Sequence, residues 1–354
     1  MPTMTHPHTN RRAFLQGLST SGALLALGGC KTPSGAGHTT VMTVRGPVPA
    51  QDIGFTLTHE HLLASFQPYA EWARAPLVYD PDEVVRVMLP HLQRIASLGC
   101  KTFVDATAVG LGRDPVVIRR LAEASGLNIL MTTGNYAAID FRQLPPYVFD
   151  DSEQRLAARW VSEFHDGIEG SGVRPGFIKL GFNGRPLADV ERKMIRAGAI
   201  AHRATGLTIG AHTGPAVAAF EQLAELDSLG VAPDAWIWIH SQNEPDVTRH
   251  EEAARRGAWI SLDHVSPATI ADHVERVARL RDAGFLGRVL VSQDAGWYSI
   301  GRPNGGTVRP FDTVFTEFIP ALENRGFTAA EIRTIFVDNP ARAFGIRKRL
   351  ARGS

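Results

Sequence analysis

The sequence predicts an α/β protein that folds as a single (β/α)8 TIM barrel, and three observations support this fold class. Short apolar or β-branched runs alternate with amphipathic helical segments along most of the chain. Eight runs begin near residues 56, 102, 128, 176, 207, 235, 258 and 288, which is the repeat of a strand–helix unit with two longer insertions. No Gly-x-Gly-x-x-Gly motif follows the first run, which disfavours a doubly wound sheet, the competing α/β fold.

The composition is that of a folded protein with balanced charge. Of 354 residues, 44% are hydrophobic and 21% are charged, which is typical of a globular chain and not of a disordered one. The chain has 37 basic and 36 acidic residues, so no nucleic-acid partner is expected from its net charge. Its two cysteines, Cys30 and Cys100, exclude a disulfide scaffold and a four-cysteine zinc site.

The N-terminal region has the features of an export signal. A twin arginine, Arg11-Arg12, precedes an apolar, small-residue run, which is the layout of a Tat-type signal peptide over residues 1–29. The run is shorter than the roughly 20 apolar residues that a bilayer-crossing helix needs. It ends at Cys30 in Leu-Gly-Gly-Cys, which resembles a lipobox. Residues 30–40 are a predicted linker, and residues 41–350 are the predicted barrel domain.

These signals predict export by the Tat machinery and a periplasmic or outer cell-surface lipoprotein, held at the membrane only through a lipid on Cys30. The alternatives are an ordinary signal peptide with an incidental cysteine, and a disordered arm.

The predicted domain opens with an N-terminal β-hairpin, in which strands at residues 41–44 and 55–58 are joined by turn residues at 45–49. The first long helix has Asp80 as its N-cap and Pro81 at its first position, and it stops at Gly99. Similar signals bound further helices at 114–126, 189–206, 215–230, 246–257 and 267–284, and a capping box at 328–331 opens a C-terminal helix.

Polar side chains follow the predicted strands where each strand ends. In such a barrel the reactive groups lie at the carboxyl ends of the strands, so these side chains converge on one rim. They are His59 and His61 after strand 1, Lys179 after strand 4, His212 after strand 5, His240 after strand 6 and Asp294 after strand 8. Five helical histidines, at 91, 165, 202, 250 and 273, are instead predicted on solvated faces outside the barrel.

This rim predicts a binuclear metal site. Imidazoles and a carboxylate are ligands for zinc or a similar divalent ion, and five donors exceed one tetrahedral shell. A free ammonium on Lys179 does not bind a cation, but an N6-carboxylated Lys179 is an anion that can bridge two metals. Glu60, between His59 and His61, is expected to point away from them as a supporting residue.

Eight short motifs occur in an order that is similar to one known family. They are Thr-Leu-Thr-His-Glu-His-Leu at 56–62, Gly-Leu-Gly-Arg-Asp at 110–114, Phe-Ile-Lys at 177–179, Ala-His-Thr at 211–213, His-Ser at 240–241, Leu-Asp-His at 262–264, Ser-Gln-Asp at 292–294 and Asn-Pro-Ala-Arg at 339–342. Together they resemble the phosphotriesterase family of the amidohydrolase superfamily, over nearly the whole chain after the linker.

The resemblance implies a ligand set and a mechanism. It implies that His59, His61 and Asp294 hold the more buried metal, that His212 and His240 hold the more exposed one, and that carboxylated Lys179 and a hydroxide bridge the two. The hydroxide would attack a carbonyl or phosphoryl centre. Asp294 would receive its proton, and His264 would relay it outward. The family also implies a possible homodimer.

Two departures from the family pattern concern the proton relay. The family's acid at the end of the relay is Asn243 here, and a second histidine that often follows strand 7 is Pro267. These changes favour lactones or carboxyl esters over phosphotriesters as substrates, because a lactone or ester leaves a basic alkoxide that the proton on Asp294 can reach directly.

The sequence also suggests substrate contacts. Tyr136 matches an aromatic position of the family's pocket, and Trp297 and Arg302 lie in a long loop after strand 8 that can cover it. The predicted function is therefore that of a binuclear metal hydrolase acting on small-molecule esters or lactones. The alternatives are a true organophosphate triesterase and, from another class, a lipid-anchored metal-dependent ligand-binding protein without turnover.

Overall fold

A computed structural model of the chain describes residues 39–351. The predicted signal peptide over residues 1–29, the lipidation site Cys30 and most of the linker lie outside the described residues. Within the described part of the chain, no helix has both the length and the apolar character that crossing a bilayer requires.

The described chain opens with an antiparallel hairpin of β1 (Thr40–Thr43) and β2 (Gly46–Pro49). The prediction of a turn over residues 45–49 is wrong, because Gly46–Pro49 is the second strand. Prolines are tolerated there because β2 pairs only with β1 and is an edge strand. The amide of Val44 donates to the carbonyl of Ile129 at 2.8 Å, which attaches the hairpin to the N-terminal end of the barrel.

The predicted (β/α)8 barrel is confirmed, with eight strand positions in the expected order. The strands are β3 (Thr56–Ala64), β4 (Thr102–Asp105), β5 (Asn128–Leu130) continued by β6 (Thr132–Thr133), β7 (Phe177–Gly181), β8 (Ile209–His212), β9 (Trp236–Ile239), β10 (Trp259–Leu262) and β11 (Val289–Val291) continued by β12 (Gly296–Ser299). All neighbours pair in parallel. Because β12 pairs with β3, the first and the last strand positions meet and the ring closes.

The helices lie between the strands and largely have the predicted bounds. They are α1 (Tyr69–Trp72), α2 (Pro81–Ser97), α3 (Pro115–Ser125), α4 (Tyr147–Asp150), α5 (Glu153–Asp166), α6 (Asp189–Thr205), α7 (Ala216–Ser228), α8 (Val247–Arg256), α9 (Ile270–Asp282), α10 (Ile319–Asn324), α11 (Ala329–Arg333) and α12 (Asn339–Phe344). Asp80 and Asp114 accept hydrogen bonds from first-turn amides of α2 and α3, as N-caps do. The capping box at Thr328 is also present.

Apolar side chains fill the barrel below its C-terminal rim. Phe177, Ile237, Trp259 and Leu290 are fully buried in one cluster, which Val41 of the hairpin joins from the N-terminal end. A larger apolar cluster lies between the strands and the helices. The interior is therefore a packed core, and the polar groups of the rim rest on an apolar floor.

Three of the helical histidines are buried, so the prediction that they lie on solvated faces is wrong. The Nδ1 atom of His202 lies 2.8 Å from the carbonyl of Leu207, and the Nε2 atom of His250 lies 2.7 Å from that of Ser241. His273 is likewise buried. Each of the three sits on the helix face that packs against the barrel or the C-terminal segment, and a ring nitrogen bonded to a backbone oxygen makes that burial tolerable.

Candidate metal centre

The six polar residues predicted at the strand ends meet around one cavity at the C-terminal rim. The cavity has a volume of about 230 Å³. Its walls include all six predicted ligands, His59, His61, Lys179, His212, His240 and Asp294, together with Phe66, Ala106, Leu111, Tyr136 and Trp297. Parallel strands end at the same edge of a barrel, which is why residues more than 200 positions apart in the chain share this cavity.

His59 and His61 lie on β3, and in each ring the Nδ1 atom contacts the protein. The Nδ1 atom of His59 lies 3.0 Å from Asp263 Oδ2, and the Nδ1 atom of His61 lies 2.9 Å from the hydroxyl of Thr107. Both Nε2 atoms are thus left to face the cavity. Metal-binding histidines typically use one nitrogen for the protein in this way and present the other to the ion.

Asp294 completes the first group of donors. Its Oδ1 atom lies 3.2 Å from His61 Nε2 and 3.8 Å from His59 Nε2. Two ligand atoms about 2.1 Å from a tetrahedral zinc ion lie roughly 3.4 Å apart, so this spacing fits one ion among the three atoms. Oδ1 is buried and accepts no hydrogen bond from the described residues. An unpaired buried carboxylate oxygen is costly, and a cation would satisfy it.

The backbone of Asp294 is unusual and aims the side chain. Its φ is 50°, a left-handed conformation that non-glycine residues seldom adopt. The amide of Asp294 donates to the carbonyl of His59 at 3.0 Å, which fixes the residue between β11 and β12. His240, at the end of β9, also has a positive φ, of 60°. Such conformations concentrate at functional sites, where the surrounding structure holds them.

His212 and His240 form the second group of donors, with ring centroids 4.3 Å apart. The Nδ1 atom of His240 lies 2.6 Å from Asp263 Oδ1, so its Nε2 atom faces the cavity. Burial, and then the neighbouring His240, lowers the pKa of His212 well below its ordinary value. Burial, and then Lys179, lowers the pKa of His59 to about 3. Imidazoles with lowered pKa values are neutral at pH 7, which is the state that binds metals.

Lys179 lies between the two groups of histidines, and its side chain is only 1% exposed. Its Nζ atom is 3.4 Å from His59 Nε2, and no carboxylate of the described residues pairs with it. Burial lowers the pKa of Lys179 to about 8, so an uncharged, nucleophilic amine is accessible near neutral pH. This environment suits an amine that reacts with carbon dioxide better than a permanent ammonium.

Asp263 joins the two groups of donors, and sequence reasoning missed this role. Its carboxylate is fully buried, with Oδ2 3.0 Å from His59 Nδ1 and Oδ1 2.6 Å from His240 Nδ1. Burial raises the pKa of Asp263, but His240 and His59 outweigh it and hold that pKa well below its usual range. The Nε2 atom of Gln242 donates to the same carboxylate at 3.2 Å. The only signal in the sequence was an acid directly before His264.

Glu60 points away from the cavity, as the sequence predicted. It is fully buried and accepts hydrogen bonds from Ser292 Oγ at 2.7 Å and from the amides of Gln293 and Ala295 at 3.0 and 2.7 Å. It therefore ties β3 to the segment that carries Asp294. Burial raises the pKa of Glu60 to about 7.

Aromatic side chains form the walls above the donors. Trp297 stacks on His61 with ring centroids 3.7 Å apart, and Phe66 packs against Trp297 at 5.4 Å. The hydroxyl of Tyr136 lies 3.1 Å from His212 Nδ1. Tyr136 and Trp297 were predicted pocket residues, whereas Phe66 lies in the loop after β3 and carries no periodic signal.

The structure does not bring His264 or Arg302 to the cavity, and neither forms part of its lining. β10 ends at Leu262, and His264, two residues further on, is exposed. Arg302 is exposed in a turn that Glu83 holds against α2 through the amide of Asn304 at 2.9 Å. The relay through His264 stays a prediction.

Comparisons with known proteins agree with this fold and site. The sequence profile of the Phosphotriesterase family matches residues 39–344. The aryldialkylphosphatase of Saccharolobus solfataricus is 29% identical over 317 residues, covering 84% of this chain and 96% of the relative. The organophosphorus hydrolase from Deinococcus radiodurans superposes with a TM-score of 0.79 at 29% identity, covering 88% of this chain and 98% of that one. A lactonase from Listeria monocytogenes superposes with a TM-score of 0.77 at 25% identity, covering 88% and 100%. The chain therefore belongs to the phosphotriesterase family and is a hydrolase.

Proposed function

We propose that the protein is a binuclear, zinc-dependent hydrolase that prefers lactones or carboxyl esters to phosphotriesters. The observation that carries the metal centre is the buried Oδ1 atom of Asp294, which accepts no hydrogen bond from the described residues and lies 3.2 Å from His61 Nε2 and 3.8 Å from His59 Nε2. His212 and His240 would hold the second ion, and an N6-carboxylated Lys179 would bridge the two. Two divalent ions bound here would lower the pKa of a water molecule so that hydroxide forms near neutral pH, and they would polarise the carbonyl or phosphoryl oxygen of the substrate.

Residues of the chain transfer the proton, orient the imidazole rings and exclude water. Asp294 takes the proton of the attacking water as the new carbon–oxygen bond forms, and it returns that proton to the alkoxide oxygen as the ester bond breaks. Asp263 orients the rings of His59 and His240, and Thr107 orients the ring of His61, through contacts with the Nδ1 atoms. Trp297 and Phe66 cover the reacting groups and exclude water.

Two features support the preference for esters and lactones. The cavity of about 230 Å³ is below the roughly 300–1,000 Å³ typical of pockets for drug-sized ligands, so it favours a compact substrate. Asn243 is exposed, and the neighbouring Gln242 binds Asp263 in place of an acid that could carry a proton outward. Proton return to the leaving alkoxide does not need that route. The lactonase from Listeria monocytogenes is one similar structure.

The proposal is tested by comparing kcat/KM for small lactones, aryl esters and dialkyl aryl phosphates, using the zinc-loaded protein. We expect the lactones or esters to give the highest values. Tyr136→Phe should lower the lactone value roughly fivefold, since one hydrogen bond contributes about 1 kcal/mol, and change the triester value less. Tyr147→Phe is the matched control, because its hydroxyl binds Asn135 outside the cavity lining. Phosphotriesters as the best substrates would favour a true triesterase, and no turnover of any ester would favour a ligand-binding protein.

We also propose that the Tat machinery exports the chain and that a lipid on Cys30 anchors it at the periplasmic or outer cell surface. The twin arginine and the lipobox-like segment support this location. Family resemblance supports a homodimer.

A further inference from the structure

A basic hollow lies at the N-terminal end of the barrel, opposite the metal centre. It has a volume of about 520 Å³ and is formed by the tip of the hairpin, α3 and the segment before β7. Three arginines, Arg45, Arg119 and Arg174, line it together with one acid, Glu123. The hollow takes no part in the proposed hydrolysis, since the reactive groups lie at the other end of the strands.

None of the three arginines of this hollow forms an ion pair with a carboxylate of the described residues. Among the described residues, the guanidinium groups of Arg119 and Arg174 have no hydrogen-bond or ion-pair partner. Arg45 is held in place because its guanidinium donates to the carbonyls of Gly126 and Leu127 at 3.2 Å. Glu123 is exposed and four residues from Arg119, yet the two form no ion pair. Guanidinium groups that face one hollow without carboxylate partners suit a phosphate ligand.

A second basic hollow flanks the other side of the same hairpin. It is lined by Thr39, at the start of the described chain, and by Arg333, Arg342 and Arg347, with one acid, Asp338. The two hollows together carry six arginines and two acids, whereas the whole chain has a net charge of only +1. In the second hollow Arg333 pairs with Asp338 and Arg347 pairs with Asp234, so the arginines without carboxylate partners are mainly those of the first hollow.

Two arginines near the second hollow have lowered pKa values. Burial, and then Arg347, lowers the pKa of Arg349 to about 10. Burial, and then Arg342, likewise lowers the pKa of Arg288. Burial is the larger cause of both shifts, and the neighbouring arginines add to it while Asp234 opposes them.

We propose that this face of the barrel docks on anionic phospholipid headgroups, with one headgroup phosphate in the hollow of Arg45, Arg119 and Arg174. The position of Thr39 argues for a membrane as the source of the phosphate. Residues 31–38 span at most about 30 Å, so a lipid on Cys30 would keep this face near the bilayer. Docking in this way points the metal centre away from the membrane, toward soluble substrates. The proposal does not depend on the hydrolytic function.

The test uses the full chain with Cys30→Ala, so that no covalent lipid contributes to binding. Flotation should show binding to vesicles that contain phosphatidylglycerol, little binding to phosphatidylcholine vesicles, and loss of binding at high salt. Arg119→Gln with Arg174→Gln should weaken binding roughly 25-fold, because each cationic side chain near a bilayer contributes about fivefold. The control variant, Arg86→Gln with Arg155→Gln, removes the same charge from the N-terminal parts of α2 and α5, away from the hollow. It should weaken vesicle binding far less.

Other outcomes would overturn the proposal. Equal losses in both double variants would show a general effect of charge and not a built site. Binding of inorganic phosphate without binding to vesicles would make the hollow a site for free anions, and equally tight binding to a DNA duplex would remove the specificity for lipid. Metal content should be unchanged in both double variants, which separates a failed docking surface from a misfolded chain.

Discussion

Asp263 connects the two groups of donors in the candidate metal centre. Replacing it with asparagine keeps the shape of the side chain but replaces one acceptor oxygen with an NH2 group, which is a donor. One oxygen of Asp263 accepts from His240 Nδ1 at 2.6 Å and from Gln242 Nε2 at 3.2 Å. The other accepts from His59 Nδ1 at 3.0 Å, from Ser261 Oγ at 2.8 Å and from the amide of His240 at 3.2 Å. Asparagine has one acceptor oxygen, so its NH2 group must face one of the two imidazole donors.

The orientation of that amide decides which metal ligand is disturbed. The NH2 group meets two donors on the His240 side and three on the His59 side. We therefore expect His240 to lose its partner while His59 keeps its own. Loss of such a supporting hydrogen bond typically weakens metal binding 10- to 100-fold, or about 1.4–2.7 kcal/mol. The affinity that falls should be that of the site formed by His212 and His240.

Chelator-competition titrations with zinc measure both affinities directly. The Asp263→Asn protein should show one affinity lowered by the expected factor and one close to that of the unmodified protein. Asp151→Asn is a control, because it removes a buried carboxylate that pairs with Arg159 and does not line the cavity. Two unchanged affinities, or a loss confined to the site of His59, would refute the reasoning about Asp263.

Three further predictions concern the bridge, the fold and the anchor. Lys179→Ala should lose most metal affinity and activity, and short carboxylic acids should partly restore both; metal content that neither falls nor responds would make Lys179 a bystander. The pKa of about 7 for Glu60 lies above the unfolded value of 4.5, so this group stabilises the metal-free fold below about pH 4.5, and that contribution disappears as the pH rises through 7. Glu60→Gln should therefore remove roughly 3 kcal/mol of the pH-dependent stability seen in thermal unfolding, and an unchanged pH dependence would contradict this effect of burial. Cys30→Ala should release the protein from membranes washed at high salt, a condition that removes binding to anionic headgroups but not a covalent lipid, and unchanged fractionation under that wash would contradict lipidation.

The sequence predicted the barrel and the six polar residues that meet at its rim because both follow from local rules. Caps such as Asp80 and Asp114 mark helix starts, and a polar residue directly after an apolar run falls on the rim of a barrel wherever that run is a strand. His59, Lys179, His240 and their partners could be found in this way without knowing any distance.

What the sequence could not show depends on packing between distant segments. The link that Asp263 makes between His59 and His240 requires three strands to be in place. The burial of His202 depends on the C-terminal segment, where the backbone of Arg349 meets its ring. The second strand of the hairpin was missed because prolines were interpreted as turn residues and not as members of an edge strand.

The binuclear site is tested most directly by counting metal ions per chain. Elemental analysis of protein loaded with zinc in the presence of bicarbonate and freed of excess metal should give two ions per chain, with hydrolytic activity rising as the second ion binds. Asp294→Asn should lower that number, since it replaces the carboxylate oxygen that faces His59 and His61. A single ion per chain at full activity would contradict the account of a binuclear hydrolase.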